Sequence, residues 1–161
     1  MFFTCNKIVP LGEIEQWIDK RRGAGQTIAT LNGSFDLLHP GHLQIIFEAK
    51  EQADCLLMLL NSDASIRQYK GLDRPILSLE ERLKMVAALE PVDGVSWFEE
   101  LNPCAILARI RPNVHINGAE YSEDCIEAEV VRQNGGRIHI VNLLPGFSTS
   151  MIIDKIQRLK R

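Results

Sequence analysis

The sequence lacks the features that mark secreted, metal-binding and membrane proteins. Its four cysteines, Cys5, Cys55, Cys104 and Cys125, are widely spaced and form no C-x-x-C pair, which argues against a zinc site or a disulfide framework. No apolar run reaches the length of a membrane span, and the N-terminus shows no signal-peptide pattern. These absences predict a reduced, cytoplasmic protein that has no membrane partner.

The sequence also lacks a strong charge of either sign. Its net charge is -3 and its pI is about 5.8, so it has no global basic field that would recruit nucleic acid. No internal repeat, linker or low-complexity segment is visible. A chain of 161 residues can build one proper hydrophobic core, and we expect a single domain over residues 1–161.

Apolar runs typical of strands alternate along the chain with segments of helical periodicity. We predict strands over residues 26–31, 55–60, 95–98, 114–117 and 137–141. We predict helices over residues 11–22, 41–53, 102–110 and 123–133, with two more starting after caps at Ser78 and Ser148, and a loop over residues 61–74. This alternation predicts an α/β fold with a single doubly wound, parallel, five-stranded sheet, whose ligands bind beyond the carboxyl ends of the strands.

One stretch between the first strand and its helix carries the strongest chemical signal: Asn32-Gly33-Ser34-Phe35-Asp36-Leu37-Leu38-His39-Pro40-Gly41-His42. Two histidines three residues apart at a helix start lie on one face, so both imidazoles can contact one ligand. The free amides and the positive dipole end of that helix favour an anion. Gly41 allows close approach of a ligand to the backbone, and Asp36 is placed to orient a histidine or to approach a metal. The stretch predicts phosphate chemistry.

Three further positions each allow two interpretations. Lys70, in a polar stretch, is either a solvated lysine or a phosphate ligand. Arg82, near the start of a capped helix, is either an exposed arginine paired with Glu81 or a neighbour, or a clamp for a phosphate or carboxylate. Ser148-Thr149-Ser150 is either an ordinary N-cap or a second phosphate cradle before the last helix.

The His39-to-His42 motif resembles the H-x-G-H signature of the nucleotidyltransferase superfamily, close to its cytidylyltransferase-like branch. Within it the chain is similar to the bacterial D-glycero-β-D-manno-heptose 1-phosphate adenylyltransferases, and the similarity covers nearly the whole sequence. The matching segments are residues 61–67, 70–71, 74–76, 79–82, 87–90, 117–121, 134–136 and 148–153. The resemblance implies a Rossmann-like nucleotidyltransferase fold. That family often occurs fused behind a sugar-kinase domain, and this chain resembles the stand-alone form.

The resemblance also implies a reaction and a set of site residues. The reaction transfers the adenylyl group of ATP to a heptose 1-phosphate, giving ADP-heptose for lipopolysaccharide or related glycans and releasing pyrophosphate. Mg²⁺ is held chiefly by the triphosphate, without a metal site on the protein. His39, His42 and Lys70 would be catalytic, with Lys70 on a mobile loop, and the chain would form a homodimer. The implied nucleotide-binding residues are Asn32, Gly33, Ser34, Phe35, Asp36, Gly41, Arg82, Asn117, Gly118, Glu120, Ser148, Thr149 and Ser150.

Two departures from related patterns bear on the substrate. Residues 144–147 replace an arginine-containing motif of the related cytidylyltransferases, which disfavours glycerol-phosphate cytidylyl transfer. Asn117 stands where the heptose enzymes usually have lysine, and Glu120 stands where they have aspartate. The alternatives are therefore a cytidylyltransferase acting on an alcohol phosphate such as glycerol 3-phosphate, and a nucleotide-binding sensor without turnover.

Overall fold

A computed structural model describes residues 6–142 and 144–159 of the chain. A 3-10 turn at Leu11–Glu13 precedes the helices and strands, which follow in the order α1 (Ile14–Gly23), β1 (Ile28–Gly33), α2 (Pro40–Glu51), β2 (Cys55–Asn61), α3 (Asp63–Lys70), α4 (Leu79–Ala87), β3 (Gly94–Phe98), α5 (Cys104–Ile110), β4 (Val114–Gly118), α6 (Ala128–Gln133), β5 (Arg137–Val141) and α7 (Thr149–Gln157). The strands form one sheet in the order β3-β2-β1-β4-β5, and every neighbouring pair is parallel. The predicted doubly wound α/β sheet is confirmed.

Helices cover the sheet on both faces, which is why its strands are so apolar. Every residue of β2 is buried, as expected for a central strand of a parallel sheet. One core cluster joins α2 and α4 to strand residues such as Ala29 and Leu31. The other joins α1, α5 and α6 to residues that point the opposite way, such as Ile28. Side-chain alternation along each strand therefore divides the core into two layers.

The main difference from the predicted elements is α3, which lies within the segment predicted as a loop. The side chain of Ser62 accepts a hydrogen bond from the amide of Ser65 and caps this helix, and Gly71 follows its end with φ +92°. Ile66 is its fully buried apolar anchor. Because the remaining residues are mostly polar, the segment shows little apolar periodicity. The helix predicted over residues 123–133 is also shorter, since α6 begins at Ala128.

The segment before the 3-10 turn closes the outer side of β3. Ile8 bridges Val95 in parallel orientation. The amide of Val9 donates to the Val95 carbonyl at 2.8 Å, and the Val95 amide donates to the Lys7 carbonyl at 2.8 Å. The amino end of β3 therefore has a partner on each side.

Three of the four cysteines lie in the described part of the chain. Cys55, Cys104 and Cys125 are free thiols, and Cys5 lies outside the described residues. None of the described helices combines the length and apolar character needed to cross a membrane.

His115 on β4 is a fully buried imidazole in the core. Its Nδ1 lies 2.8 Å from the hydroxyl oxygen of Thr30 on β1, and its Nε2 has no hydrogen-bond partner among the described residues. Burial lowers the pKa of His115 to about 3. The imidazole is therefore neutral in the folded protein at physiological pH.

We expect this imidazole to make the fold sensitive to mild acid. Below a pH of about 6.5 the unfolded chain binds a proton at this position that the folded chain rejects. The free energy of unfolding should fall by about 2 kcal/mol through His115 alone between neutral pH and about pH 5. Urea unfolding of the wild type and of His115→Gln across that range measures the contribution. Equal pH dependence in the two proteins would contradict it.

Candidate active site

A large cavity opens where the parallel strands end. Its volume is about 930 Å³, and it is lined by residues at the carboxyl ends of β1, β2 and β4 and by the first turns of α2 and α7. This is the position at which open parallel sheets bind ligands. The volume suits a nucleotide-sized molecule.

The two histidines of the motif lie together at the start of α2. His39 is the N-cap residue, and its Nδ1 accepts a hydrogen bond from the His42 amide at 3.3 Å. The two rings are stacked, with centroids 3.8 Å apart and planes inclined by 22°. Because Nδ1 of His39 is an acceptor, the neutral ring carries its proton on Nε2 and can donate from there. The prediction that both imidazoles share one face is confirmed.

Both imidazoles are neutral near pH 7. Burial lowers the pKa of His39 below its ordinary value. For His42, burial, the neighbouring His39 and Lys70 together lower the pKa to about 4. Neither ring therefore adds formal charge to the cavity, and His39 keeps its Nε2 N–H available to a ligand.

The close packing of the histidines depends on Gly41. A Cβ at this position would lie 3.2 Å from ring atoms of His39, which is tighter than ordinary contact. The prediction explained this glycine by the approach of a ligand, and the structure adds a second reason within the protein itself.

The residue preceding the motif's aspartate, Phe35, has φ +44°, a conformation that few bulky residues adopt.

Lys70 lines the cavity from the last residue of α3, so its prediction as a loop residue was wrong. Its Nζ donates to the hydroxyl of Ser34 at 2.9 Å. Burial lowers the pKa of Lys70, and the charge of Arg74 lowers it further. Arg74 also lines the cavity, and the two side chains supply its positive charge.

Asp36 does not contact the cavity, contrary to the nucleotide-binding role implied for it. Its side chain is fully buried, and it accepts hydrogen bonds from the amides of Ile76 and Leu77 at 2.9 Å each and pairs with Arg74 at 2.7 Å. Burial alone would raise the pKa of Asp36, but these two amides and the Arg74 guanidinium hold it below its ordinary value. It makes no hydrogen bond to either histidine among the described residues, so its role is to fasten the turn after β1.

Arg82 likewise does not line the cavity, contrary to the nucleotide-binding role implied for it. Its guanidinium has no exposed surface. It pairs with Asp63 at 2.7 Å, donates to the Ser34 carbonyl at 2.7 Å and donates to the Leu77 carbonyl at 3.1 Å. The predicted pairing with a neighbour is found, with Asp63 in place of Glu81, although the arginine is buried and not exposed. The alternative, a clamp for a phosphate or carboxylate of a ligand, has no support here because Arg82 does not line the cavity.

The start of α7 forms the wall beside the histidines. The hydroxyl of Ser148 accepts a hydrogen bond from the Met151 amide at 3.1 Å, so the predicted cap is confirmed. Ser148, Thr149 and Ser150 all line the cavity. Their predicted role as a phosphate cradle stays a prediction, supported by the amides that a helix start leaves free.

The opposite wall is built around Asn117 at the end of β4. Its amide nitrogen lies 3.1 Å from the sulfur of Cys125 and 3.5 Å from the carboxylate of Glu127. Gly118 follows, where an added Cβ would collide with the carboxylate of Glu120. Glycine is therefore required for Glu120 to fold back against the strand end.

Of the predicted site residues, all except Asp36 and Arg82 line the cavity. The sequence reasoning missed Asn61, Arg74 and Glu127, which line it too. Asn61 ends a buried strand on the ligand side of the sheet, and that position was a usable signal. Arg74 belonged to a recognised segment but was not assigned a role. Glu127 lay in a stretch predicted to be helical and carried no local signal.

Comparison with known proteins agrees with this geometry. The family model described as cytidylyltransferase-like matches residues 30–155, so the chain belongs to the cytidylyltransferase-like family of nucleotidyltransferases. It is similar to the bifunctional protein HldE of Nitrobacter winogradskyi, with 40% identity over 89% of this chain and 30% of that protein. The HldE of Nitrosococcus oceani is 41% identical over 91% of this chain and 31% of its own length.

The chain thus spans about a third of the length of these relatives. A solved structure gives the same result for the fold: the lipopolysaccharide core biosynthesis protein from Thermoplasma volcanium GSS1 superposes with a TM-score of 0.61 at 25% identity. That superposition covers 74% of this chain and 98% of the other. The Rossmann-like nucleotidyltransferase fold is confirmed.

We expect His42→Ala to lower turnover about 100-fold or more while changing nucleotide affinity only a few-fold, because a buried neutral donor matters most where charge develops. Steady-state pyrophosphate release and calorimetric nucleotide binding measure the two quantities. His139→Ala is the matched control, since His139 lies on β5 against Glu48 at 3.0 Å and outside the cavity lining. Equal losses of turnover and affinity in His42→Ala would instead indicate a binding role alone.

Proposed function

We propose that this protein transfers the adenylyl group of ATP to a sugar 1-phosphate, specifically a heptose 1-phosphate, and releases pyrophosphate. The observation that carries the proposal is the stacked pair His39 and His42 at the start of α2. Two N–H donors, a free helix start and the cations Lys70 and Arg74 line one cavity with the start of α7. That combination suits a polyphosphate chain.

The chemistry follows from the charges. An oxygen of the sugar phosphate attacks the α-phosphorus of ATP in line, and a new P–O bond forms. The bond from the α-phosphorus to the bridging oxygen breaks, and its electron pair leaves with pyrophosphate. The phosphoryl oxygens gain negative charge during this exchange, so the protein stabilises the transition state by positioning and by electrostatics and forms no covalent intermediate.

Different residues would stabilise different parts of the triphosphate. His39 and His42 donate N–H groups to the phosphoryl oxygens without adding like charge to each other. Lys70 contributes a point charge from the end of α3, where Ser34 holds its ammonium group. The free amides of α7 bind the phosphates distant from the reacting centre.

Magnesium belongs to this proposal as part of the substrate, bound to the triphosphate. Among the described residues no group of three histidine, cysteine or acidic side chains is arranged to hold a metal ion. The acidic groups of the cavity lining are Glu120 and Glu127, both on the wall of Asn117. A metal that keeps most of its ligands from phosphate and water fits such a cavity.

The relatives support the substrate class. The sequence resembles heptose-1-phosphate adenylyltransferases, the chain is similar to one segment of bifunctional HldE proteins, and the solved structure is a lipopolysaccharide core biosynthesis protein. Together these favour ATP and a sugar phosphate as partners, in the cytoplasm where ATP is available. A kinase reaction would supply the sugar 1-phosphate.

The test is a substrate matrix. The protein is mixed with Mg²⁺, with ATP or CTP, and with heptose 1-phosphate, other sugar phosphates or glycerol 3-phosphate, and pyrophosphate is measured. We expect release with ATP and heptose 1-phosphate in an amount equal to the ADP-sugar formed, and none without an acceptor. Release with CTP and glycerol 3-phosphate alone would identify the alternative cytidylyltransferase. Tight nucleotide binding without release in any combination would identify the sensor.

We also propose that the chain forms a homodimer, as its resemblance implies. Two helices offer apolar side chains to a partner: Phe47 of α2 is 51% exposed and Ile156 of α7 is 57% exposed. The described residues of α7 include none that is buried. A helix that leaves apolar side chains exposed in its own chain is a common element of subunit interfaces.

Light scattering coupled to gel filtration tests the dimer. The wild type should have twice the mass of the chain, and Phe47→Glu with Ile156→Glu should have the mass of one chain, because two carboxylates would be buried unpaired. Leu72→Glu is the control, since Leu72 is 87% exposed and belongs to neither helix. A monomeric wild type would refute the dimer.

A further inference from the structure

Three strands of the sheet carry an asparagine as their last or last but one residue, and the three asparagines share one face. Asn32, Asn61 and Asn117 lie at the carboxyl ends of β1, β2 and β4, and all three line the cavity. By strand alternation they belong to the face that α1, α5 and α6 cover. The histidines stand on α2, whose apolar side chains pack on the other face. The cavity therefore has a donor-rich, cationic half and an amide-lined half.

Glu127, just before α6, completes the amide-lined half. It is only 4% exposed and lines the cavity. Its carboxylate is 3.5 Å from the amide nitrogen of Asn117, and the Cys125 thiol is hydrogen-bonded to it. No lysine, arginine or histidine among the described residues forms an ion pair with it. A buried carboxylate with only neutral partners has acceptor capacity left over.

Asn32 adds a second open acceptor. Its side-chain oxygen is buried and has no hydrogen-bond partner among the described residues, although buried polar atoms are normally paired. The adjacent residues Leu31 and Ile116 are in register between β1 and β4, which makes Asn32 the cross-strand neighbour of Asn117. The open oxygen thus lies beside the Asn117–Glu127 pair.

This arrangement of acceptors favours hydroxyl groups over phosphate groups as ligands. Phosphate groups are largely ionised near neutral pH, bring few hydrogens and are repelled by a carboxylate, so they are better placed beside Lys70 and the histidines. Hydroxyl groups bring the hydrogens that the carboxylate of Glu127 and the side-chain oxygen of Asn32 can accept, and hydroxyl oxygens can accept from the amide of Asn117. When phosphates occupy the cationic half, an attached sugar ring is brought to the amide-lined half.

We propose that Asn32, Asn117 and Glu127 form a hydroxyl-binding subsite for the sugar ring of a phosphorylated substrate, with Glu127 accepting from adjacent hydroxyls. The inference rests on the proposed function for the direction in which the phosphates lie. Two sources present this chemistry, the ribose of ATP and the ring of the acceptor. Glu127 is then a specificity-determining residue for whichever ring lies there.

The experiment compares Glu127→Gln with the wild type on substrates that lack single hydroxyls. Glutamine keeps the size of the side chain and removes its charge, so the KM of the substrate held there should rise about 10- to 100-fold, with a much smaller change in kcat. The wild type should discriminate against 2′-deoxy-ATP or 3′-deoxy-ATP if ribose is the ligand, and against deoxy acceptor sugars if the acceptor is. In Glu127→Gln that discrimination should largely vanish.

Glu129→Gln is the matched control, because Glu129 lies two residues further along the chain, in α6, is exposed, and accepts a hydrogen bond from Gln133 at 2.9 Å. Thermal unfolding of each variant separates loss of the fold from loss of binding, and the deoxy substrates test the wild type without any substitution. If the wild type catalyses no transfer, the proposed function fails, and calorimetric binding of ATP, its deoxy forms and sugar phosphates still tests the subsite. Equal affinity for hydroxyl and deoxy ligands in the wild type, or unchanged discrimination in Glu127→Gln, would overturn the proposal.

Discussion

The turn after β1 is held from two sides by buried charge, and the rest of the site depends on it. Arg82 binds the Ser34 carbonyl from α4 and ties it to Asp63 at the start of α3. Asp36 holds the amides of residues 76 and 77 and the guanidinium of Arg74. Removing one partner of such a pair leaves an uncompensated charge in the core, so the turn has one stable arrangement. That arrangement sets where α2 begins and where the ammonium group of Lys70 lies, beside the hydroxyl of Ser34.

In the two proposals above, the cavity separates two kinds of recognition by using both faces of one sheet. The groups proposed to bind phosphate come from helix starts and from the end of α3, beside stacked imidazoles whose pKa values are lowered. The asparagines proposed to bind hydroxyl groups come from the strand ends, and Glu127 comes from the start of α6. A molecule with a phosphate chain and a hydroxylated ring would then meet a complementary surface at each end, and polarity as well as shape would set its orientation.

The sequence predicted what depends on neighbours along the chain. Apolar runs such as 55–60 specified the strands, and the cap at Ser78 specified the start of α4. The motif from Asn32 to His42 located the site, because a parallel sheet places all its strand ends on one edge. The roles of charged side chains were predicted wrongly where their partners are distant along the chain. Asp36 pairs with Arg74, 38 positions away, and Arg82 donates to the Ser34 carbonyl, 48 positions away. Glu127 escaped notice for the same reason, since its burial depends on the packing of α6 against the sheet.

The short bridge between Ile8 and Val95 bears on which end of the described chain suits the attachment of a tag or a surface tether. Val95 lies near the amino end of β3, and the bridged segment runs parallel to it, so the chain enters this bridge from the side of the sheet opposite the cavity. At the other end of the described chain, α7 begins in the cavity wall. An affinity tag or surface tether placed ahead of the bridge would be attached on the side of the sheet away from the cavity. One placed beyond α7 would be attached to a helix whose first turn lines the cavity.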